Sequence, residues 1–160
     1  NFDIGIWHGS GNWIGVDSVS LGKEEIFPVC SPDFMHNTFP MNKIEDLFKQ
    51  TILRTVSPVV QDEWQTWLHA AGIQNKEFKN FINCDYLITT LHAASAGLGI
   101  ALGRSTVVDD DIALGRLVEP FSFRQESIYN YHLVSPHGNS DLAKVQAFKN
   151  WLLESLNKDR

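Results

Sequence analysis

The stretch Cys84–Gly103, CDYLITTLHAASAGLGIALG, decides the fold. Leu87, Ile88, Leu91 and Ala94 recur at i, i+1, i+4 and i+7, which is one apolar face of a helix. Asp85 stands where a helix start needs a side chain that accepts backbone N–H bonds. Ala93, Ala94, Ser95 and Ala96 are small and let that helix approach a sheet closely. Gly97 suits the left-handed turn that ends a helix. Leu98 to Leu102 is a short apolar run of the kind a buried strand gives. A helix whose N-terminus opens into a crevice, with a buried strand behind it, can offer backbone donors to a small ligand.

Outward from that unit, helices and strands alternate. Strands are predicted at Asp3 to Ile6, Val16 to Leu21, Glu25 to Cys30, Thr51 to Thr55, Phe78 to Asn83, Leu117 to Phe121 and Ser127 to Ser135. Pro28 inside the run EIFPVC argues for an edge or crossover strand. A short helical turn follows Ser31-Pro32, and Ile44, Leu47 and Phe48 mark another helix. Val56-Ser57-Pro58 reads as a loop. Gln61 to Ala71 reads as a helix with Trp64, Trp67 and Leu68 on one face, closed by Gly72. Arg104 to Ile112 is helical and ends at Gly115. Asn139 or Ser140 caps a last helix, with Leu142, Val145, Phe148, Trp151, Leu152 and Leu156 as its apolar stripe. The alternation predicts α/β with a mostly parallel sheet.

The chain has 160 residues, 43% hydrophobic and 20% charged, which is an ordinary globular composition. The net charge is -6 and the thirteen Lys and Arg residues are scattered. Phosphate binding needs clustered cations, so this segment is not expected to hold nucleic acid. Cys30 and Cys84 give neither a disulfide framework nor a metal spacing, and are expected as reduced thiols of a cytoplasmic protein. No apolar run is long enough to cross a bilayer, and no signal-peptide pattern is present. The opening Asn1–Ile6 reads as the inside of a strand, so the expectation is a fragment of a longer protein.

Catalytic chemistry finds little support. His8, His36, His69, His92, His132 and His137 are dispersed without metal spacing, and Ser95 sits in ASAG rather than in a nucleophile elbow. Asp109-Asp110-Asp111 are adjacent acids that must point in different directions along a helix, so they read as a solvated face. Trp64, Trp67 and Phe78 read as core. No catalytic residue, metal or cofactor is assigned.

The run Asp3-Ile4-Gly5-Ile6-Trp7-His8-Gly9, then Trp13 and Gly15, then Glu25-Ile26-Phe27-Pro28-Val29-Cys30-Ser31-Pro32, resembles the effector-binding domain of LysR-type transcriptional regulators, in the glycine-cleavage-activator-like branch. Trp64…Trp67-Leu68…Ala71-Gly72, Ala93-Ala94…Gly97-Leu98-Gly99-Ile100-Ala101-Leu102, Gly115-Arg116-Leu117-Val118…Pro120-Phe121, Tyr131-His132-Leu133-Val134-Ser135-Pro136 and Phe148…Trp151-Leu152 continue the match in order. Each motif alone is weak, but the ordered set is specific. The resemblance implies a type II periplasmic-binding-protein-like fold, with two α/β subdomains joined by two crossover strands. The first subdomain would be incomplete. It would comprise 1–30 and, on the return with the C-terminal helix, 129–160, and 31–128 would form the second. Val29, Cys30, Ser31, Val134 and Ser135 would be hinge residues.

The implied function is effector sensing and dimerisation, with DNA contacted only through a winged helix-turn-helix outside these residues. The partners would be a small-molecule effector, such as an amino acid or another small carboxylate, and a second copy, or a tetramer in the full-length regulator. No membrane partner is expected. Cleft candidates are Trp7, His8, Thr55, Asp85, Tyr86 and Tyr131, with Ser57 and Val59 beside Thr55. A plain N-cap explains Asp85 as well, and strand packing explains Tyr131. Trp7 stands where this branch carries Arg, and the hydroxyls of the helix come late, at Thr89 and Thr90. The runner-up is a periplasmic solute-binding protein of the same fold, which would need a signal sequence ahead of Asn1. A small α/β enzyme is third.

Overall fold

The structure is a computed structural model and describes residues 2–56 and 63–158. From the N-terminus the elements are β1 (Gly5–Gly9), β2 (Val16–Ser20), β3 (Glu25–Val29), α1 (Pro32–Asn37), a 3-10 helix (Ile44–Lys49), β4 (Ile52–Thr55), α2 (Trp64–Ala70), β5 (Phe81–Cys84), α3 (Leu87–Ser95), β6 (Ala101–Arg104), α4 (Ser105–Ala113), β7 (Gln125–Glu126), β8 (Asn130–Pro136) and α5 (Ala143–Lys158). They form two compact units: Asn1–Glu24 with Glu126–Arg160, and Glu25–Gln125. The crossings fall at Glu24–Glu25 and Gln125–Glu126. Val29 and Cys30 are buried inside the second unit, and Val134 and Ser135 lie within β8 of the first.

In the second unit, strand residues alternate between two cores. Ile26, Cys30, Ile52, Ile100 and Leu102 join Trp64, Trp67, Leu68 and Phe78. Phe27, Val29, Leu53 and Ala101 join Leu91, Ala94, Val108 and Leu117. A period of two puts these sets on opposite faces of the strands, a β6–β3–β7 sheet and a β4–β5 pair joined by the Ile52–Ile100 bridge, with α2 on one face and α3 and α4 on the other. Each fully buried aliphatic side chain contributes about 1.5–3 kcal/mol. Ser31 starts α1 by accepting the Phe34 N–H at 3.1 Å, with Pro32 in the first turn.

The stretch Cys84–Gly103 closes as its glycine predicted. Gly97 has φ +79. Its N–H donates to Ala94 O, and the Leu98 N–H donates to Ala93 O, both at 3.0 Å. These paired bonds satisfy carbonyls at the end of α3. They also hold Leu98 at the surface, so the strand begins at Ala101 rather than Leu98. The inward face is shifted too. Thr90, Leu91 and Ala94 are buried, whereas Ile88 is exposed.

The mostly parallel sheet is not found. β1 and β2 pair antiparallel with β8, and β3 pairs antiparallel with β6. Only β4–β5 and the Ile52–Ile100 bridge are parallel among the described pairings. The helical spacers between strands do not force a parallel return, because a strand can enter the sheet from either end. β3 lies between β6 and β7, so Pro28 is not on an edge. β7 has only two residues and cannot pair the whole of β3. The strand expected over Leu117 to Phe121 is a single bridge between Cys30 and Val118.

In the first unit β8 lies between β1 and β2. On α5, Val145 is buried, but Phe148 and Trp151 are exposed, as is Leu142 just ahead of the helix. Val145, Gln146 and Lys149 line a small cavity with Val19 and Leu133, and Leu152 and Leu156 are half-buried, so the predicted stripe holds for Val145, Leu152 and Leu156 but not for Phe148 or Trp151.

Candidate functional site

The second unit builds a polar site at the C-terminal end of β4. Thr55 is the last residue of that strand and lies opposite Cys84 in the parallel β4–β5 pair. The Val56 N–H donates to Cys84 O at 2.9 Å and continues the pairing. The chain then turns through Asp85 and Tyr86 into α3. Thr90, one turn into α3, is buried and reaches back to Thr55, with the two Oγ1 atoms 2.8 Å apart. The Thr90 hydroxyl also donates to Tyr86 O at 3.1 Å. Strand ends of this kind, followed by a helix N-terminus, are where open α/β sheets hold small ligands.

Asp85 does not cap this helix. The N-cap is Tyr86, whose backbone is extended, and no side chain bonds the first turn. Asp85 sits one residue too early to reach the N–H groups that a cap satisfies. Both Asp85 and the Tyr86 side chain are exposed. Ser57 and Val59 lie outside the described residues.

On the first unit, His8 and Tyr131 come together. They are opposite each other in the β1–β8 register, with ring centroids 4.8 Å apart. Tyr129 lies edge-on to His8 at 6.3 Å. Trp7 is not part of this group. Successive strand residues face opposite sides of a sheet, so Trp7 and His8 cannot share one. Trp7 pairs with His132 and packs edge-on against Trp13, whose ring in turn meets His132. Both residues also lie within β1 rather than beyond its end.

Glu24 was missed by sequence reading. It is completely buried, with Oε2 3.0 Å from His8 Nε2. A buried carboxylate needs such a partner. Its backbone N–H donates to Asn130 Oδ1 at 2.8 Å, and its carbonyl accepts the Ser127 N–H at 2.8 Å. The only sequence signal was an acid directly ahead of an apolar strand, next to a second acid that turns elsewhere.

Several other titratable groups are held in pairs. No set of three or more His, Cys, Asp or Glu residues able to hold a metal occurs among the described residues. Asp111 pairs with Arg116, and Arg124 clasps Glu119 and Glu25 while lying 3.9 Å over the Phe27 ring. Asp17 receives the Ser140 hydroxyl at 2.8 Å and meets His137 Nδ1 at 2.9 Å. These bonds, Ser140 first and then His137, hold its carboxyl below the usual value. The serine donates to the acid and not to the histidine, so the group lacks the order of a nucleophile and base. Burial pushes the Cys30 thiol up to about 11. No described helix is long and apolar enough to cross a membrane.

The second unit carries the strand-end hydroxyls and the first the His8–Tyr131 pair, and the chain belongs to the LysR substrate binding domain family, whose model matches residues 1–157. The expected α/β, type II periplasmic-binding-protein-like fold is thus the fold of this chain. It is 32% identical over 151 residues to the glycine cleavage system transcriptional activator of Escherichia coli strain K12, covering 94% of this chain and 48% of that protein. It is 29% identical over 157 residues to the HTH-type transcriptional activator AmpR of Enterobacter cloacae, covering 98% of this chain and 52% of that one. The chain spans about half the length of the curated relatives it matches. The solved effector domain of AmpR from Pseudomonas aeruginosa superposes with a TM-score of 0.79 at 26% identity, over 98% of this chain and 73% of that one. The AmpR effector binding domain of Citrobacter freundii gives 0.81 at 25% identity, over 98% and 75%.

Proposed function

We infer that this chain is the effector-sensing and dimerising module of a LysR-type transcriptional regulator. The family match along its length and the activator names of its relatives support that reading over a solute-binding protein or an enzyme. The module binds a small molecule, such as an amino acid or another small carboxylate, and acts without catalysis in the cytoplasm. Its negative charge leaves DNA to a winged helix-turn-helix elsewhere in the regulator. An effector that binds one conformation better than another shifts the population, and so the relation between paired subunits.

The observation that carries the binding proposal is the Thr55–Thr90 hydroxyl pair at the end of β4, anchored on the backbone carbonyl of Tyr86. Asp85 and the Tyr86 ring are candidate contacts on the same unit, and His8 and Tyr131 are candidates taken on the first unit by itself. Trp7, on the other face of β1, drops out. The test is a thermal-shift screen of amino acids, other small carboxylates and cell-wall fragments. A stabilising compound should lose most of its effect in Thr55→Val and part of it in Tyr131→Phe. Stabilisation that survives intact in both variants counts against these residues as effector contacts.

A further inference from the structure

The hydroxyl chain has a direction, and the direction selects the ligand. A carbonyl oxygen can only accept, so the bond between Thr90 Oγ1 and Tyr86 O uses the single hydrogen of Thr90. With that hydrogen on Tyr86 O, Thr90 accepts and Thr55 donates in the 2.8 Å contact between the two threonines, the one of its two directions that makes both bonds at once. Thr55 has thereby committed its only hydrogen to Thr90. Its oxygen remains an acceptor, on a half-buried residue at the end of β4. Asp85, which follows the residue opposite Thr55, is an exposed acid. The neighbouring cation, Arg54, is turned over the Phe81 ring, its guanidinium carbon 4.7 Å from the ring centroid.

The geometry points to Thr55 Oγ1 as a specificity-determining acceptor, one that takes an ammonium or amide N–H of the effector and discriminates against a carbonyl at that position. This assignment rests on the effector reading above. It adds a polarity that a merely hydroxyl-lined site would not have, since a free hydroxyl can turn to serve either kind of group.

The test uses three compounds with one carbon skeleton: L-alanine, L-lactate and pyruvate, which present a donor-only ammonium, a hydroxyl and an acceptor-only ketone. Each is titrated into the full chain while the Thr55 and Thr90 methyl resonances are followed. L-alanine should bind about tenfold more tightly than pyruvate, the size of one hydrogen bond to a charged group. Thr55→Val should remove that preference and Thr55→Ser should keep it. Thr90→Val, which releases the Thr55 hydrogen, should improve pyruvate relative to L-alanine. Pyruvate binding as tightly as L-alanine in the wild type, or equal losses for both in Thr55→Val, overturns the assignment. Neutron diffraction reads the order of the chain without a ligand. Deuterium on Thr55 should point at Thr90, and the reverse order also overturns it. A correctly ordered chain, with all shifts caused by the three compounds lying away from Thr55 and Thr90, instead sinks the effector reading of this site.

Discussion

Gly99→Ala should be among the most damaging single-methyl additions to this chain. Gly99 links the turn after α3 to β6. A Cβ built there lies 2.5 Å from Thr51 O and 3.1 Å from Leu53 Cγ. An ordinary carbon–oxygen approach is about 3.3 Å or more, so something must move by close to an ångström. The atom in the way is backbone, and it is already in use. Thr51 O accepts the Ile100 N–H at 2.9 Å, and the Leu53 N–H donates to Ile100 O at 2.7 Å. These bonds join β4 to the start of β6. Overpacking costs about 1–3 kcal/mol and a weakened hydrogen bond about 1 more, so the expected loss is about 2–4 kcal/mol. Gly97→Ala is the control. Its φ of +79 is unfavourable for alanine, but its Cβ meets only Ser31 Oγ at 3.4 Å, so the cost is about 1–2 kcal/mol. Urea unfolding reads both, as a shift of midpoint at constant slope. Gly99→Ala within about 0.5 kcal/mol of wild type, on the scale of an uneventful surface change, would refute the packing described for this junction. So would a Gly97→Ala cost larger than that of Gly99→Ala.

Three further outcomes follow from the same structure. Trp64 donates from Nε1 to Leu53 O at 3.0 Å, whereas the buried Trp67 Nε1 has no partner among the described residues. Trp64→Phe should therefore cost about 1–3 kcal/mol more than Trp67→Phe in thermal unfolding, since only the former strands a buried carbonyl. The lowered carboxyl of Asp17 stabilises the fold above the ordinary carboxylate range, and that contribution is lost as pH falls through its folded value. Ser140→Ala should accordingly lower the melting temperature slightly at pH 7 and hardly at all at pH 2. The same loss at both pH values would contradict the link. Cys30 is buried with its thiol pushed up to about 11, while Cys84 is half-buried. A thiol reagent at pH 8 should label Cys84 first, and Cys30 only on unfolding. Prior labelling of Cys30 in the folded chain would contradict its burial.

What the sequence revealed divides by distance along the chain. The helix, its Gly97 stop and the following buried strand were legible because each depends on residues a few positions apart. The ordered motifs carried the family for the same reason. Strand direction and face were not legible. Trp7 and His8 read as one site because they are adjacent, and β1's pairing with β8 puts them on opposite sides. Asp85 looked like a cap, but the helix begins a residue later. Thr90 stands late in the helix sequence for a ligand-binding hydroxyl, yet one helical turn brings it inward to Thr55, in the place that periodicity assigns to Ile88. Glu24 is buried only because His8, Asn130 and Ser127 come to it from distant parts of the chain. No local pattern carries that information.

Under the proposed function, the end of β4 and the start of α3 receive the effector, and methyl NMR mapping of the first compound to stabilise the chain reads this out. The largest shifts should fall on Thr55, Leu87 and Thr90. Shifts confined to the open groove lined by Phe34, Phe39, Lys49 and Gln50, with Thr55 and Thr90 unmoved, would contradict it.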